Sequence, residues 1–309
     1  MISGIDPAGA QFLAALDQIQ DNMQQAESQL SSGLKFQNAS DAPDEVSDIL
    51  SLRADISNNN QVQSNLNSVT TQVDTAQQAL STAEQLVENA LTLATQGASG
   101  TATATSNGNL AQQVAAIQSE LISIANTQIA GDYVFGGDDY TSQPYEADTV
   151  NPDTGGGVVQ LTVTQATRLI QDPLGNTFNV DLTAQQIFDD QNPDGSPAPD
   201  NVFVAVNQLR VALQNNDLSG IQSSITALTT ADNYLNQQLG FYGAAENRIQ
   251  AANNLAQQMN LSYQTALSND QDADMAQAAT ELTASQTQEQ AAMQAESMLP
   301  RNSLFNYLG

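Results

Sequence analysis

The first hydrophobic pattern in the chain is a heptad repeat near the N-terminus. It alternates steps of four and three residues, and its members are Phe12, Leu16, Ile19, Met23, Ala26 and Leu30. Most positions between them are Gln, Asp, Asn or Ser, so the pattern predicts a helix with one narrow apolar stripe. Such a stripe cannot form a core alone. We therefore expect a partner helix, and the candidate is the segment 275–299 at the other end of the chain.

Two longer apolar rows predict two long helices. The first row lies in a stretch without Pro or Gly that follows Pro43 and reaches about Thr95; its members are Leu66, Val69, Val73, Ala76, Leu80, Ala83, Val87, Ala90 and Ala94. The second row has one residue in every seven: Ile221, Leu228, Leu235, Tyr242, Ile249, Ala256 and Tyr263. A shorter seam from Leu110 to Gln128 predicts a third helix beside them.

The middle of the chain has a different pattern. Short β-like runs begin at Val158 and Thr177, and Pro and Gly residues separate them. We expect a mainly α fold, an elongated nested helical hairpin with a small β-rich insertion. Its predicted parts are a terminal coiled-coil assembly domain (1–40 with 272–309), a helical rod (41–139 with 201–271) and a β-rich outer insertion (140–200).

Composition excludes several classes of function. The chain has 6 Lys and Arg and 34 Asp and Glu, which gives a net charge of −28. Such a charge repels nucleic acids and anionic membranes. The chain has no Cys and no His, so thiol catalysis, the Ser-His-Asp triad and the common zinc sites are unavailable. The first residues have neither the basic nor the apolar region of a secretory signal. We expect neither an enzyme nor a cofactor.

Acidic residues leave two alternatives to this interpretation. The pairs Asp138/Asp139, Asp189/Asp190 and Asp272/Asp274 could act as catalytic carboxylates, but each lies in a turn-like stretch, so solvated turns are the favoured interpretation. The segment 190–201 opens with the spacing of a calcium loop, yet its twelfth position is Asn201 instead of Glu. A Pro-, Asp- and Gly-rich turn is favoured there over a calcium site.

Short motifs lie near both ends of the chain. Those of the N-terminal end are residues 30–34 (LSSGL) and 38–43 (NASDAP), and those of the C-terminal end are 243–248 (GAAENR), 272–276 (DADMA) and the ending 304–308 (LFNYL). These motifs resemble those of bacterial flagellins and the related hook–filament junction proteins. The resemblance covers about 1–138 and 200–309. Residues 130–137 (AGDYVFGG) are similar to a segment of the junction proteins, whereas 298–301 (MLPR) resemble flagellins.

The resemblance implies a non-enzymatic, self-assembling subunit of the bacterial flagellum, at the hook–filament junction or, as the alternative, in the filament itself. It implies export without a cleaved signal peptide and an extracellular location. The implied partners are copies of the chain, the neighbouring axial proteins (a hook-side junction protein and flagellin) and an export chaperone. We expect the assembly interface on the terminal seams, at Phe12, Leu16, Ile19, Met23, Leu30, Leu282, Met293, Leu299, Leu304, Phe305 and Leu308.

Overall fold

The computed structural model describes residues 7–36, 43–164 and 167–298. Helices dominate this part of the chain: α1 (Pro7–Ser32), α2 (Pro43–Gly97), α3 (Ala104–Ala125), α4 (Ala184–Phe188), α5 (Val202–Gln214), α6 (Leu218–Gln271) and α7 (Met275–Met298). The strands are short: β1 (Gln128–Ile129), β2 (Asp132–Tyr133), β3 (Tyr145–Ala147), β4 (Val158–Gln160), β5 (Leu169–Gln171) and β6 (Thr177–Asn179). The strands form three separate antiparallel two-stranded sheets, β1 with β2, β3 with β4 and β5 with β6. The predicted mainly α fold with a small β-rich insertion is confirmed.

One helix boundary differs from the prediction. The seam of α3 was expected to reach Gln128, but the helix ends at Ala125, and Asn126 is its C-cap. Gln128 instead pairs with Tyr133 in the first hairpin. The turn of that hairpin consists of Ala130 and Gly131, both with positive φ (54° and 98°). Two positive φ values in a two-residue turn match the twist of a tight hairpin, so the chain reverses here before the predicted insertion begins.

The chain divides into two compact units. We call residues 1–58 and 258–309 the terminal unit, and residues 59–257 the central unit. Helices α2 and α6 contribute residues to both units. The three-part division expected from the sequence stays a prediction, because these units are defined by contacts and their boundaries fall inside the two long helices.

The central unit contains most of the buried apolar side chains. The first predicted row lies on α2 and the second on α6, and we call them the α2 row and the α6 row. Every member of the α2 row is at most 4% exposed, and the six members of the α6 row in this unit are at most 1% exposed. From Val73 to Ala90, Val or Leu alternates with Ala along the α2 row, so its side chains fill the core without separating the helices. The α2 row, the α6 row from Ile221 to Ile249 and the buried face of α3 form one continuous apolar cluster.

An aromatic group attaches the β-rich segment to the helices of the central unit. Phe135 makes an edge contact with Phe188 at 5.9 Å between ring centroids, and Phe203 lies 5.7 Å from Phe188 and 5.2 Å from Tyr145. These four side chains are at most 1% exposed. Thr183 begins α4 with a capping box, in which its hydroxyl accepts from the Gln186 N–H. The β-rich segment is therefore anchored by packing around α4 and α5.

Candidate assembly surface

Helices α1 and α7 pack side by side in the terminal unit, as the matched seams at the two ends predicted. The α1 seam faces this contact: Ala26 is buried, and the five other members are half-buried, namely Phe12, Leu16, Ile19, Met23 and Leu30. On α7, Leu282 is half-buried, whereas Met293 is exposed. The remaining predicted interface residues, Leu299, Leu304, Phe305 and Leu308, lie outside the described residues.

The α7 side of this pair is thin. Its least exposed positions alternate steps of four and three residues: Ala278, Leu282, Ser285, Glu289 and Ala292. Only one member of this set has a large apolar side chain, so the pair buries little apolar area. Among the described residues of the terminal unit, the buried apolar side chains are Ala26, Ile49 and Ala278. The terminal unit therefore lacks a core comparable to that of the central unit.

Large apolar side chains lie on the surface of the same unit. They are 47% to 81% exposed and belong to Leu13, Leu50, Leu261, Met275, Met293 and Met298. Exposed apolar side chains on a unit that has only a small apolar core indicate contacts with other protein molecules. Sequence reasoning missed Leu13, Leu50 and Leu261, because they lie outside the regular seams that it followed.

A short backbone ladder joins the end of α1 to the start of α7. The Lys35 N–H donates to the Gln271 carbonyl at 2.8 Å, and the Ala273 N–H donates to the Gly33 carbonyl at 2.9 Å. Between these two bonds, Leu34 and Asp272 form an antiparallel bridge. We call residues 33–35 and 271–273 the latch. Gly33 has a φ of 75°, which lets the chain turn out of α1 into the latch.

Two cations support the latch. The Lys35 ammonium donates to the Asn269 carbonyl in the last turn of α6, where the helix dipole is negative. Arg53 donates to the Gln271 side-chain oxygen at 2.8 Å. Gln29 of α1 also donates to the Lys35 carbonyl at 2.9 Å. The chain has only six Lys and Arg, and two of them lie at this joint.

Threonine hydroxyls on α7 are bonded within the helix. Thr280, Thr283 and Thr287 each donate to the carbonyl four residues earlier, at 2.8 Å. Such bonds satisfy the hydroxyl without a partner outside the helix. The exposed face of α7 is thus polar in composition, but these three hydroxyls already have an acceptor for their protons.

The carboxylate pairs considered from the sequence lie in turns or at helix ends. Each pair has at least one member that accepts a hydrogen bond within the protein: Asp139 from the Thr141 hydroxyl, Asp189 from the Tyr145 phenol, and Asp274 from the N–H groups of Ala276 and Gln277. Asp274 therefore caps α7. Burial raises the pKa of Tyr145, and the charge of Asp189 raises it further.

The segment 190–201 forms a turn followed by a helix cap. Asn192 accepts from the Gly195 N–H at 2.9 Å, and Gln191 pairs with Pro197 in a single bridge. The side chain of Asn201 begins α5, since its oxygen accepts from the Val204 N–H at 2.9 Å. Its amide nitrogen donates to Asp189 and to the Asp190 carbonyl. The residue at the twelfth loop position thus bonds within the protein, as a turn and cap require.

Three carboxylates meet between α2 and α6 in the central unit. The oxygens of Glu84, Glu88 and Asp232 lie within 4.8 Å of one another, and this is the only such group of three found in the described part of the chain. Burial raises the pKa of Asp232, and the charges of the two glutamates raise it further. One carboxylate oxygen of Asp232 is buried without a hydrogen-bond partner. The group is therefore an electrostatic strain on the two long helices.

The fold and this surface define a mainly α protein whose N- and C-terminal helices pair and leave apolar side chains exposed. Within residues 7–36, 43–164 and 167–298, no helix is both long and apolar enough to cross a membrane. The family model of the bacterial flagellin N-terminal helical region matches residues 8–139, and that of the C-terminal helical region matches residues 208–308. Together they cover well over half of the chain. The chain belongs to the bacterial flagellin family.

Solved structures with a similar fold come from several bacteria. A Vibrio parahaemolyticus protein described as a flagellar hook-associated protein has a TM-score of 0.64 and 18% identity, covering 75% of this chain and all of its own. Hook-associated protein 3 of Legionella pneumophila has a TM-score of 0.60 and 13% identity, with 72% and 98% coverage. FlgL of Xanthomonas campestris has a TM-score of 0.59 and 15% identity, with 70% and 99% coverage. No curated protein sequence matches the chain.

Proposed function

We propose that this chain is a non-enzymatic structural subunit of the bacterial flagellum, located at the hook–filament junction. It assembles with copies of itself through the α1–α7 pair and contacts axial proteins on either side of the junction. It is exported from the cell, held before export by a chaperone, and works outside the cell. Membership of the flagellin family supports a structural role in the flagellum.

The observation that carries the assembly role is the contrast between the two units. The central unit has a continuous apolar core, whereas the described residues of the terminal unit bury only three apolar side chains and expose six large ones. A pair of helices with so little buried area is marginal by itself. Contacts with neighbouring copies would cover the exposed side chains and supply the missing stabilisation.

The choice of the junction over the filament is supported by the structural neighbours. The Legionella protein is named as hook-associated protein 3, and a second Legionella structure is described as a flagellar junction protein. On the same basis, we propose that the chain contacts a hook-side junction protein on one side and flagellin on the other. The alternative is that this chain is the filament subunit itself, and the deletion experiment described below distinguishes the two.

Two leucine substitutions test the assembly surface. Leu13 in α1 and Leu174 in the turn between β5 and β6 are similarly exposed, at 57% and 66%. Leu13→Asp places a charge on the terminal unit, so incorporation into flagella should fall at least about tenfold, as when a charge is buried in an interface. Leu174→Asp is the matched control and should incorporate normally. Equal incorporation of the two variants would contradict the proposed surface.

Both variants should melt like the parent chain, because both side chains are already exposed in the isolated protein. The melting transition followed by circular dichroism therefore serves as the folding control. Electron microscopy of a strain that lacks this chain separates the two locations. Hooks without filaments, together with flagellin in the medium, are expected for a junction subunit. Normal filaments would refute the proposal, and so would the chain itself forming the filament body.

A further inference from the structure

We infer that one face of strand β4, continued to Thr164, is a second contact between neighbouring copies of this chain. We call it the outer strand face, and it consists of the side chains of Val159, Leu161 and Val163. The contact rests on the proposed function, because its occupant is a neighbouring copy in the same assembly. The outer strand face belongs to the central unit, whereas the α1–α7 pair belongs to the terminal unit.

Apolar and polar side chains have exchanged places along this strand. Val158 still packs against the core, but the three side chains of the outer strand face are 37%, 48% and 71% exposed. The alternate positions Gln160, Thr162 and Thr164 are half-buried. A sheet with one solvated face normally turns its apolar side chains inward and its polar side chains outward. The reversed pattern indicates that another molecule covers the apolar face.

Hydrogen bonds hold the strand in this reversed orientation. Each inward polar side chain donates to an acceptor in the central unit at 2.9–3.1 Å: Gln160 to the Gln185 side chain, Thr162 to the Gln143 carbonyl and Thr164 to the Gly136 carbonyl. A slip of one residue would break these bonds and turn the apolar side chains inward. The bonds therefore select the orientation that exposes the apolar side chains.

The hairpin of β5 and β6 shows the ordinary arrangement. Ile170 in β5 pairs with Phe178 in β6, and these side chains are 8% and 5% exposed. The positions on either side of them in both strands are exposed. The same β-rich segment thus contains strands with apolar side chains turned inward, so the exchange is a property of the strand from Val159 onward.

The edge of β4 that faces away from β3 is also unprotected. Within the described residues β4 pairs only with β3, and the Leu161 N–H extends this pairing by donating to the Pro144 carbonyl at 2.9 Å. Free edges of soluble proteins usually have a charge, a proline or a bulge that prevents the addition of another strand. Residues 158–164 contain neither a charge nor a proline. A neighbour can therefore contact both the face and the edge.

Charge favours a second copy as the occupant. A basic partner is met by acidic side chains in a complementary interface, and this chain has 34 of them. Residues 154–167 instead have no charged side chain, and the exposed Glu146 lies beside Val159 at one end of the face. Copies that each carry −28 repel one another where acidic residues meet, so an uncharged apolar surface suits their contact. Their high effective concentration in an assembly lets a small contact form.

Photo-crosslinking in assembled flagella tests this contact. Copies that all point the same way along one axis contact each other through two different surfaces, so the probe must not require the second surface to be known. Benzoylphenylalanine meets this need and replaces Leu161 or, as the matched control, Leu174, which are 48% and 66% exposed. Irradiation should give an adduct of two copies from position 161 and none from position 174.

The outcomes separate this contact from the proposed function. An adduct with a different protein, no adduct from position 161, or equal adducts from both positions overturns the inference. Absence of the unlabelled parent chain from purified flagella would instead overturn the proposed function, on which the contact depends. Mass spectrometry of the crosslinked peptides identifies the partner in each case.

Threonine substitutions provide a second measurement without a bulky label. Val159→Thr combined with Val163→Thr keeps the β-branched shape but adds hydroxyls that a dry contact must dehydrate. Retention of this double variant in purified flagella after mild heating should fall at least about fivefold, whereas Leu174→Thr should be retained like the parent. Both variants should melt like the parent chain, because these side chains are exposed in the isolated protein. Equal retention of the double variant and the parent overturns the inference.

Discussion

Truncating one leucine in each unit should have very different effects on stability. Leu80 in α2 is 0% exposed and belongs to the central core, whereas Leu16 in α1 is half-buried on the terminal seam. Leu80→Ala removes buried methyl and methylene groups and leaves a cavity, which costs about 3 kcal/mol. For a unit of this size, that loss lowers the melting temperature by roughly 6–12 °C.

Leu16→Ala removes the same atoms from a partly hydrated seam, so its cost is about 1 kcal/mol and falls on the terminal unit. The main transition, followed by calorimetry on the purified chain, should then move by less than about 3 °C. The two variants are chemically matched, and their difference isolates the contribution of burial. If Leu16→Ala lowered the melting temperature as much as Leu80→Ala does, the division into a stable central unit and a marginal terminal unit would be refuted.

Two further predictions concern polar groups in the central unit. Asp232→Asn removes one charge from the group with Glu84 and Glu88, so at pH 7 it should raise the melting temperature by roughly 1–3 °C. Folding raises the pKa of Asp232, so the charge repulsion exists above that pKa and disappears as the pH falls. The gain in melting temperature should therefore vanish at about pH 4. A gain that does not depend on pH would contradict this cause. Tyr242→Phe deprives the Leu182 N–H of its acceptor at 3.1 Å and should cost about 1–3 kcal/mol in thermal unfolding, and an unchanged melting temperature would exclude that role.

Periodicity predicted the long helices well, because burial repeats strictly along them. Every member of the α2 row is buried, and so are the α6 row positions from Ile221 to Ala256. The partner helix expected over 275–299 also appears, since α6 ends at Gln271 and α7 runs from Met275 to Met298 with Asp274 as its cap. These features are local, so the spacing of apolar residues and the identity of one capping residue are sufficient to predict them.

The sequence could not predict features that depend on distant pairing. The latch is one such feature, because nothing local to residues 33–35 indicates a bond to residues 271–273. Met293 was likewise predicted at the interface but is exposed, because the least exposed row of α7 passes through Ala292, one residue before it. The end of α3 was missed because Ile129 continues the apolar pattern while the Ala130–Gly131 turn reverses the chain.

The bonded threonines of α7 bear on how a polar helix can enter an assembly. A free hydroxyl loses its water on packing and must find a new acceptor, or its dehydration opposes association. Thr280, Thr283 and Thr287 keep their bonds to helix carbonyls whether the surface is wet or dry. Dehydrating this face therefore leaves no orphaned threonine proton, and its methyl groups can meet a neighbour as valine would. A helix with few apolar residues can in this way stay hydrated in the free subunit and still pack against a neighbour without a large dehydration cost.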